Sequence, residues 1–146
     1  MWPCSQTPGG ETVEVEVKEL KRITYVEDEP DIQEIARIAL EEIGGFTLSL
    51  CDNGQEALEK VPAFQPHIIL LDMMMPGMDG IQTFHSLRTN PDVDDIPIVF
   101  VTAKAQKHEI EQYKAIGAAD VIPKPFEPIT LPDHVRSIWE RTQSER

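Results

Sequence analysis

The chain is poor in three things. It has two cysteines in 146 residues, Cys4 and Cys51, too few for a disulfide framework, so no secreted, cross-linked scaffold is expected. Positive charge is short: 13 Lys and Arg stand against 26 Asp and Glu, a formal net charge of -13. Such a surface repels phosphate backbones and anionic lipid, and no direct nucleic-acid or membrane binding is expected. No apolar run is long enough to span a bilayer, and Met1-Trp2-Pro3-Cys4-Ser5 has neither the basic start nor the apolar stretch of a signal peptide. A cytoplasmic protein is the expectation.

What the chain does have is an alternation of apolar runs and helical patterns between residues 20 and 140. Residues 1–19, with Pro3, Pro8, Gly9 and Gly10 and then valines alternating with acids, read as a mobile acidic tail, with an added edge strand or a partner-binding strand as the other reading. Residues 141–146 read as a short C-terminal tail. Between them Ile23 to Val26, Phe46 to Leu50, His67 to Leu71, Ile96 to Val101 and Ala119 to Ile122 read as strands. The run from His67 is apolar almost throughout, as suits a central parallel strand buried on both faces. Ile32, Ile35, Ala36, Ala39, Leu40 and Ile43 keep a 3.6-residue period until Gly44-Gly45. A short helix is expected near Gln55 to Val61, and further inner helical faces are marked by Ile81, Phe84 and Leu87, by Ile110, Tyr113 and Ile116, and by Leu131, Val135, Ile138 and Trp139. Five such units with short connections predict an α/β, doubly wound, five-stranded parallel sheet with helices on both faces, and leave no room for an output domain.

Polar signals close four of these runs: Glu27-Asp28, Asp72, Thr102 and Lys124. In a parallel sheet all four meet at one edge, where ligands bind in open α/β folds. Three converging carboxylates repel one another unless a cation compensates, and Mg2+ suits a few carboxylates plus waters. With Lys124 added, the formal charge of the site closes to zero. Asp72 can then act as a nucleophile toward a phosphoryl group, while Lys124 and the Thr102 hydroxyl steady its oxygens. Each signal alone has a plainer reading: Glu27-Asp28 as a solvated acidic turn, Thr102 as a β-branched strand end. Met73-Met74-Met75 could suggest a soft-metal tract, but methionines there more often pack inward. His67, His85, His108 and His134 share no ligand spacing. Gly77 and Gly80 flank the turn after Asp72, where a positive φ is cheap only for glycine.

The segments Val26-Glu27-Asp28-Glu29-Pro30, Leu70-Leu71-Asp72-Met73-Met74-Met75-Pro76-Gly77-Met78-Asp79-Gly80, Val101-Thr102-Ala103-Lys104 and Lys124-Pro125-Phe126 together resemble the receiver domain of two-component response regulators, over about residues 20 to 140. The resemblance implies a flavodoxin-like fold with strand order 2-1-3-4-5. It also implies phosphorylation of Asp72 by a histidine kinase or histidine phosphotransfer protein, and Mg2+ held by Glu27, Asp28, Asp72 and the Met74 carbonyl. A cis Lys124-Pro125 bond and a small residue, Ala103, beside the entering phosphoryl follow from it too. A stand-alone, monomeric protein that binds a downstream partner or relays phosphate is the expectation.

Two departures stand out against that family. Val121 occupies a position, three before the lysine, that is often aromatic, and Glu27 replaces a first aspartate. Two other classes fit less well: a phosphatase of the haloacid dehalogenase type would want a second acid where Met74 stands, and a binding-only pseudo-receiver would be expected to lack one or more of Glu27, Asp28, Asp72 and Lys124, all of which are present.

Overall fold

The computed structural model describes residues 19–74 and 77–145. The reading of the tail as mobile or strand-forming therefore falls, apart from Glu19, outside the described residues, as does Met75. Among the described residues the chain alternates strand and helix: β1 (Arg22–Val26), α1 (Pro30–Arg37), β2 (Thr47–Cys51), α2 (Gly54–Phe64), β3 (Ile68–Asp72), α3 (Gly80–Arg88), β4 (Ile98–Thr102), α4 (Lys107–Ile116), β5 (Asp120–Pro123) and α5 (Leu131–Ser144). The strands form one parallel sheet in the order β2-β1-β3-β4-β5. No helix among the described residues is long and apolar enough to cross a membrane.

Two cores hold the layers together, and strand alternation sorts the side chains between them. On one face Ile23 and Tyr25 of β1, Ile68 and Leu70 of β3 and Val99 and Val101 of β4 meet Ala36 and Leu40 from the first helix and Val135, Ile138 and Trp139 from α5. On the other, Val26, Ile69, Leu71, Ile98 and Phe100 meet Val61, Phe84 and Leu87. β3 and β4 are buried at every position, because helices cover them on both sides. Each fully buried Leu or Ile contributes about 1.5 to 3 kcal/mol, so these two strands anchor the domain.

Local differences from the sequence reading have physical reasons. The first helix is not uniform: Ile38–Ile43 widens into a π-helical turn, with Gly44 N–H donating to the Ala39 carbonyl, five residues back. Ala36, Ala39 and Leu40 make the contact with the sheet, whereas Ile35 and Ile43, expected inside, are 42% and 51% exposed. The 3.6-residue pattern could not foresee a turn with an extra residue. Pro62 lies inside α2, which runs to Phe64 rather than ending near Val61, and Gln65 closes it in a left-handed conformation at φ 52°. β2 starts one residue after Phe46, and β5 covers Asp120–Pro123 rather than Ala119 to Ile122. The last helix extends past residue 140 to Ser144.

β5 is an edge strand, and Asp120 at its start fastens α4 and α5 to it. Its carboxylate accepts from Arg141 Nη1 at 2.9 Å and from Val121 N–H at 2.8 Å, with Lys114 Nζ at 3.7 Å. Arg141 also donates to the Ala119 carbonyl at 2.7 Å. Burial pushes the Asp120 pKa up, but the Val121 and Arg141 bonds outweigh it and leave the carboxyl below its ordinary value. A depressed folded pKa means that the stabilisation is complete above the unfolded aspartate value of about 3.9 and is lost as pH falls through the folded one. Asp120→Asn is therefore expected to lower stability by about 1 to 2 kcal/mol at neutral pH, with the difference from the parent closing in acid. Urea denaturation across pH checks it.

Candidate functional site

Register brings the four polar signals together. Val26 sits beside Leu71 and Cys51, Asp72 beside Val101, and Thr102 beside Pro123, so the carboxyl ends of β1, β3, β4 and β5 finish within a residue of one another. The sheet order places β1 between β2 and β3, and the chain leaves it in opposite directions on the two sides; crevices open at such a switch point. Glu27, Asp28 and Asp72 converge there, each offering a carboxylate oxygen within 4.8 Å of the others. Glu27 is fully buried, Asp72 is 2% exposed and Thr102 1%.

Lys124 joins the carboxylates. Its ammonium lies 2.9 Å from Glu27 Oε1 and 3.2 Å from Asp72 Oδ1. Burial pulls the lysine pKa down, but the bonds and charges of Glu27 and Asp72 prevail and hold it above the usual lysine value. Lys124 N–H donates to the Thr102 carbonyl at 2.9 Å, which holds the residue at the end of β4; the Lys124-Pro125 bond is cis, as expected.

The loops around the site are tied to it by short polar contacts. Met74 N–H donates to Asp72 Oδ1 at 3.1 Å, and Lys104 N–H to Thr102 Oγ1 at 3.0 Å. Glu29 N–H donates to Glu27 Oε2 at 3.2 Å. Gly77 has the positive φ expected of it, 78°, but Gly80 does not. Gly80 is needed for space: a Cβ there would stand 2.6 Å from the Asp72 carbonyl oxygen and 2.7 Å from Met73 Cα. The start of α3 is thereby pressed against the strand end that carries Asp72, and Asp79 with Gln82 caps that helix reciprocally.

Of the methionine run, Met73 packs inside and Met74 is 67% exposed. Ala103 lies on an open apolar groove of about 230 Å³, lined also by Ile32, Ile35, Lys124, Pro125 and Phe126, next to the carboxylates. Val121 is buried in the opposite core. His67 is structural: its Nδ1 accepts from Lys21 and Arg22 N–H, each at 3.1 Å. The Cys51 thiol is buried, which pushes its pKa up to about 11, so it is not a nucleophile at neutral pH.

Sequence reasoning missed two side chains beside the site. Tyr25, taken only as a strand residue, donates its hydroxyl to Glu27 Oε1 at 3.0 Å. Burial first, then the charge of Glu27, raises its pKa above the ordinary tyrosine range, so the hydroxyl stays protonated. The signal was its place two residues before Glu27, on the same side of an extended strand. Gln33 of α1 bridges from the Glu27 carbonyl to Asp52 Oδ1, the latter at 2.8 Å; nothing in the sequence marked it.

Removing the lysine leaves two buried carboxylates without their cation. Lys124→Met is expected to destabilise the metal-free protein by about 2 to 4 kcal/mol at pH 7, measured by urea denaturation. Because the folded pKa is raised, the lysine's contribution is complete below about pH 10.4 and fades as pH rises through the folded value.

Comparison with known proteins agrees with this geometry. Residues 23–136 match the family described as response regulator receiver domain. The phosphate regulon transcriptional regulatory protein PhoB of Pseudomonas aeruginosa is 36% identical over 84% of this chain and 53% of its own length. The DNA-binding response regulator MtrA of Mycolicibacterium smegmatis is 36% identical over 86% of this chain and 53% of its own. The chain thus spans about half the length of these curated relatives. Among solved structures, a response regulator from Desulfuromonas acetoxidans superposes with a TM-score of 0.73 at 29% identity, covering 83% of this chain and 98% of that one. The chemotaxis response regulator CheY4 of Vibrio cholerae gives 0.75 at 25%, with 82% and 98% covered. Five parallel strands in the order 2-1-3-4-5, the acidic edge and the match over residues 23–136 agree: this chain belongs to the response regulator receiver domain family.

Proposed function

We propose that the chain is a phosphoacceptor of a two-component or phosphorelay system, modified on Asp72 by a histidine kinase or histidine phosphotransfer protein in the cytoplasm. The observation that carries this reading is the convergence of Glu27, Asp28 and Asp72 within 4.8 Å, with Lys124 bridging Glu27 and Asp72. The four side chains leave an excess of two negative charges, and their donors on the acidic side are all carboxylate oxygens, a set that suits a hard divalent ion. Glu27, Asp28, Asp72 and the Met74 carbonyl would hold Mg2+. When bound, Mg2+ supplies positive charge to the phosphoryl oxygens.

The residues of the chain do the rest. An Asp72 carboxylate oxygen attacks phosphorus in line; the O–P bond of an acyl phosphate forms as the P–N bond of the phosphohistidine breaks, and the imidazole nitrogen departs with its electron pair and takes up a proton. Lys124 turns from its two carboxylates to the transferred oxygens, replacing one anionic partner by another. Ala103 leaves room for them. Thr102 now accepts from Lys104 N–H, so a hydroxyl that donates to the phosphoryl draws on the loop leading to α4. Val121 has no ring to turn, which leaves that loop and the Lys124 segment to carry the change. The modified protein then binds a downstream partner or passes the phosphate on. PhoB and MtrA are named as transcriptional and DNA-binding regulators, but a net charge of -13 argues against nucleic-acid contact by this chain.

Incubation with acetyl phosphate and MgCl2 should add one phosphate to the parent protein, detected by intact mass, and none to Asp72→Asn or in excess chelator. Equal labelling of the parent and Asp72→Asn would overturn the assignment. Amide chemical shifts from Thr102 to Gln106 and around Lys124 should move on phosphorylation, and Thr102→Ala should shrink those changes.

A further inference from the structure

We propose that Tyr25 is a positioning residue for the cation site, its hydroxyl holding the Glu27 carboxylate in the orientation that a divalent ion needs. The inference rests on the reading of Glu27 as a metal ligand, and adds a residue that this reading does not use. Tyr25 is fully buried in β1, and its ring packs edge-on against Phe126 at 6.4 Å between centroids. A phenol buried there must find an acceptor, and it finds Glu27 Oε1 at 3.0 Å.

Glu27 is at once the most buried and the longest of the three acids. A glutamate has one more torsion than an aspartate, and that freedom must be removed if the carboxylate is to meet a small ion with strict geometry. Three donors remove it: Tyr25 Oη–H and Lys124 on Oε1, and Glu29 N–H on Oε2. Lys124 is shared with Asp72 and is the group that phosphate recruits, so its hold on Glu27 is temporary. Glu29 N–H belongs to the loop. Tyr25 is the donor fixed in the sheet, and without it the carboxylate is free to follow the lysine. Hydrogen-bond partners of metal ligands commonly govern affinity in this way.

The test uses the whole chain and Mg2+ alone, titrated by amide chemical shifts, with thermal unfolding recorded for every variant. Tyr25→Phe keeps the ring and removes the hydroxyl; Tyr25→Leu removes both and gives a second reading. Each should weaken Mg2+ binding by roughly tenfold or more. Phe126→Leu, which loosens the ring contact and leaves the hydroxyl, should lower the melting temperature without a comparable change in affinity. In a Glu27→Asp background, where the carboxylate is one methylene too short to meet the phenol, Tyr25→Phe should change affinity less than about twofold, because the two act as one unit. Parent-like affinity in Tyr25→Phe, full additivity with Glu27→Asp, or equal weakening by Phe126→Leu would each overturn the proposal. If the parent itself fails to bind Mg2+, the reading of the acidic site falls and this one with it; if the parent binds and Tyr25→Phe binds equally, only this one falls.

Discussion

The arrangement at the sheet edge depends on one ion network, Lys124 between Glu27 and Asp72. Two carboxylates with almost no exposed surface stand at the ends of neighbouring strands, and their repulsion in a poorly solvated pocket would oppose folding. The lysine that offsets it comes from the end of β5, on the far side of β4, so the domain must close its sheet before the charges can be balanced. The balance is partial by construction, since one ammonium faces three acids. On the proposed function, that remaining negative charge would draw a divalent cation, and Lys124 would exchange a carboxylate partner for the incoming anion.

The sheet acts as a device for register. Parallel strands of four or five residues end together only because β3 and β4 are locked on both faces, and a slip of one residue would exchange the two cores. Tyr25, Leu70 and Ile122 all point to the face covered by the first and last helices, and Glu27, Asp72 and Lys124 each lie two residues further along. The alternation that sorts the core thus aims the charged groups as well. Gly80 adds a constraint of a different kind, since the close approach of α3 to the Asp72 carbonyl leaves no space for a Cβ.

How much of this was legible varies with the kind of signal. The buried runs before Asp72 and Thr102 were plain, because strands covered on both faces carry apolar residues continuously and few other contexts do. Asp72 and Thr102 were legible for the same reason, since each ends such a run, whereas Glu27-Asp28 and Lys124 follow shorter runs, the second an edge strand, and gained weight from their place at the same sheet edge. Ile43 misled, since a period of 3.6 assumes a regular helix and Ile38–Ile43 is a π-helical turn, while Ile35, in the regular part, lines the open groove with Phe126. Gly80 was assigned the right importance for the wrong cause, because positive φ is a property of one residue whereas steric space depends on another strand. Tyr25 and Gln33 were invisible as site residues, since what they do is decided by where Glu27 and Asp52 come to rest.

Val121 shows how packing limits what a site can transmit. It lies opposite Phe100 in the β4–β5 register, and Phe100 is itself wedged edge-on between Phe84 at 5.5 Å and Tyr113 at 5.4 Å. Aromatic bulk on this face therefore belongs to a cluster spanning α3, β4 and α4, where each ring is held by another, rather than to a single side chain at the strand edge. In such a cluster a change at one ring presses on the next, because interiors are close-packed. On the proposed function, the loop after β4 is the direct covalent link from Thr102 to α4, whose residues are all at least partly exposed and whose hold on the domain is correspondingly light.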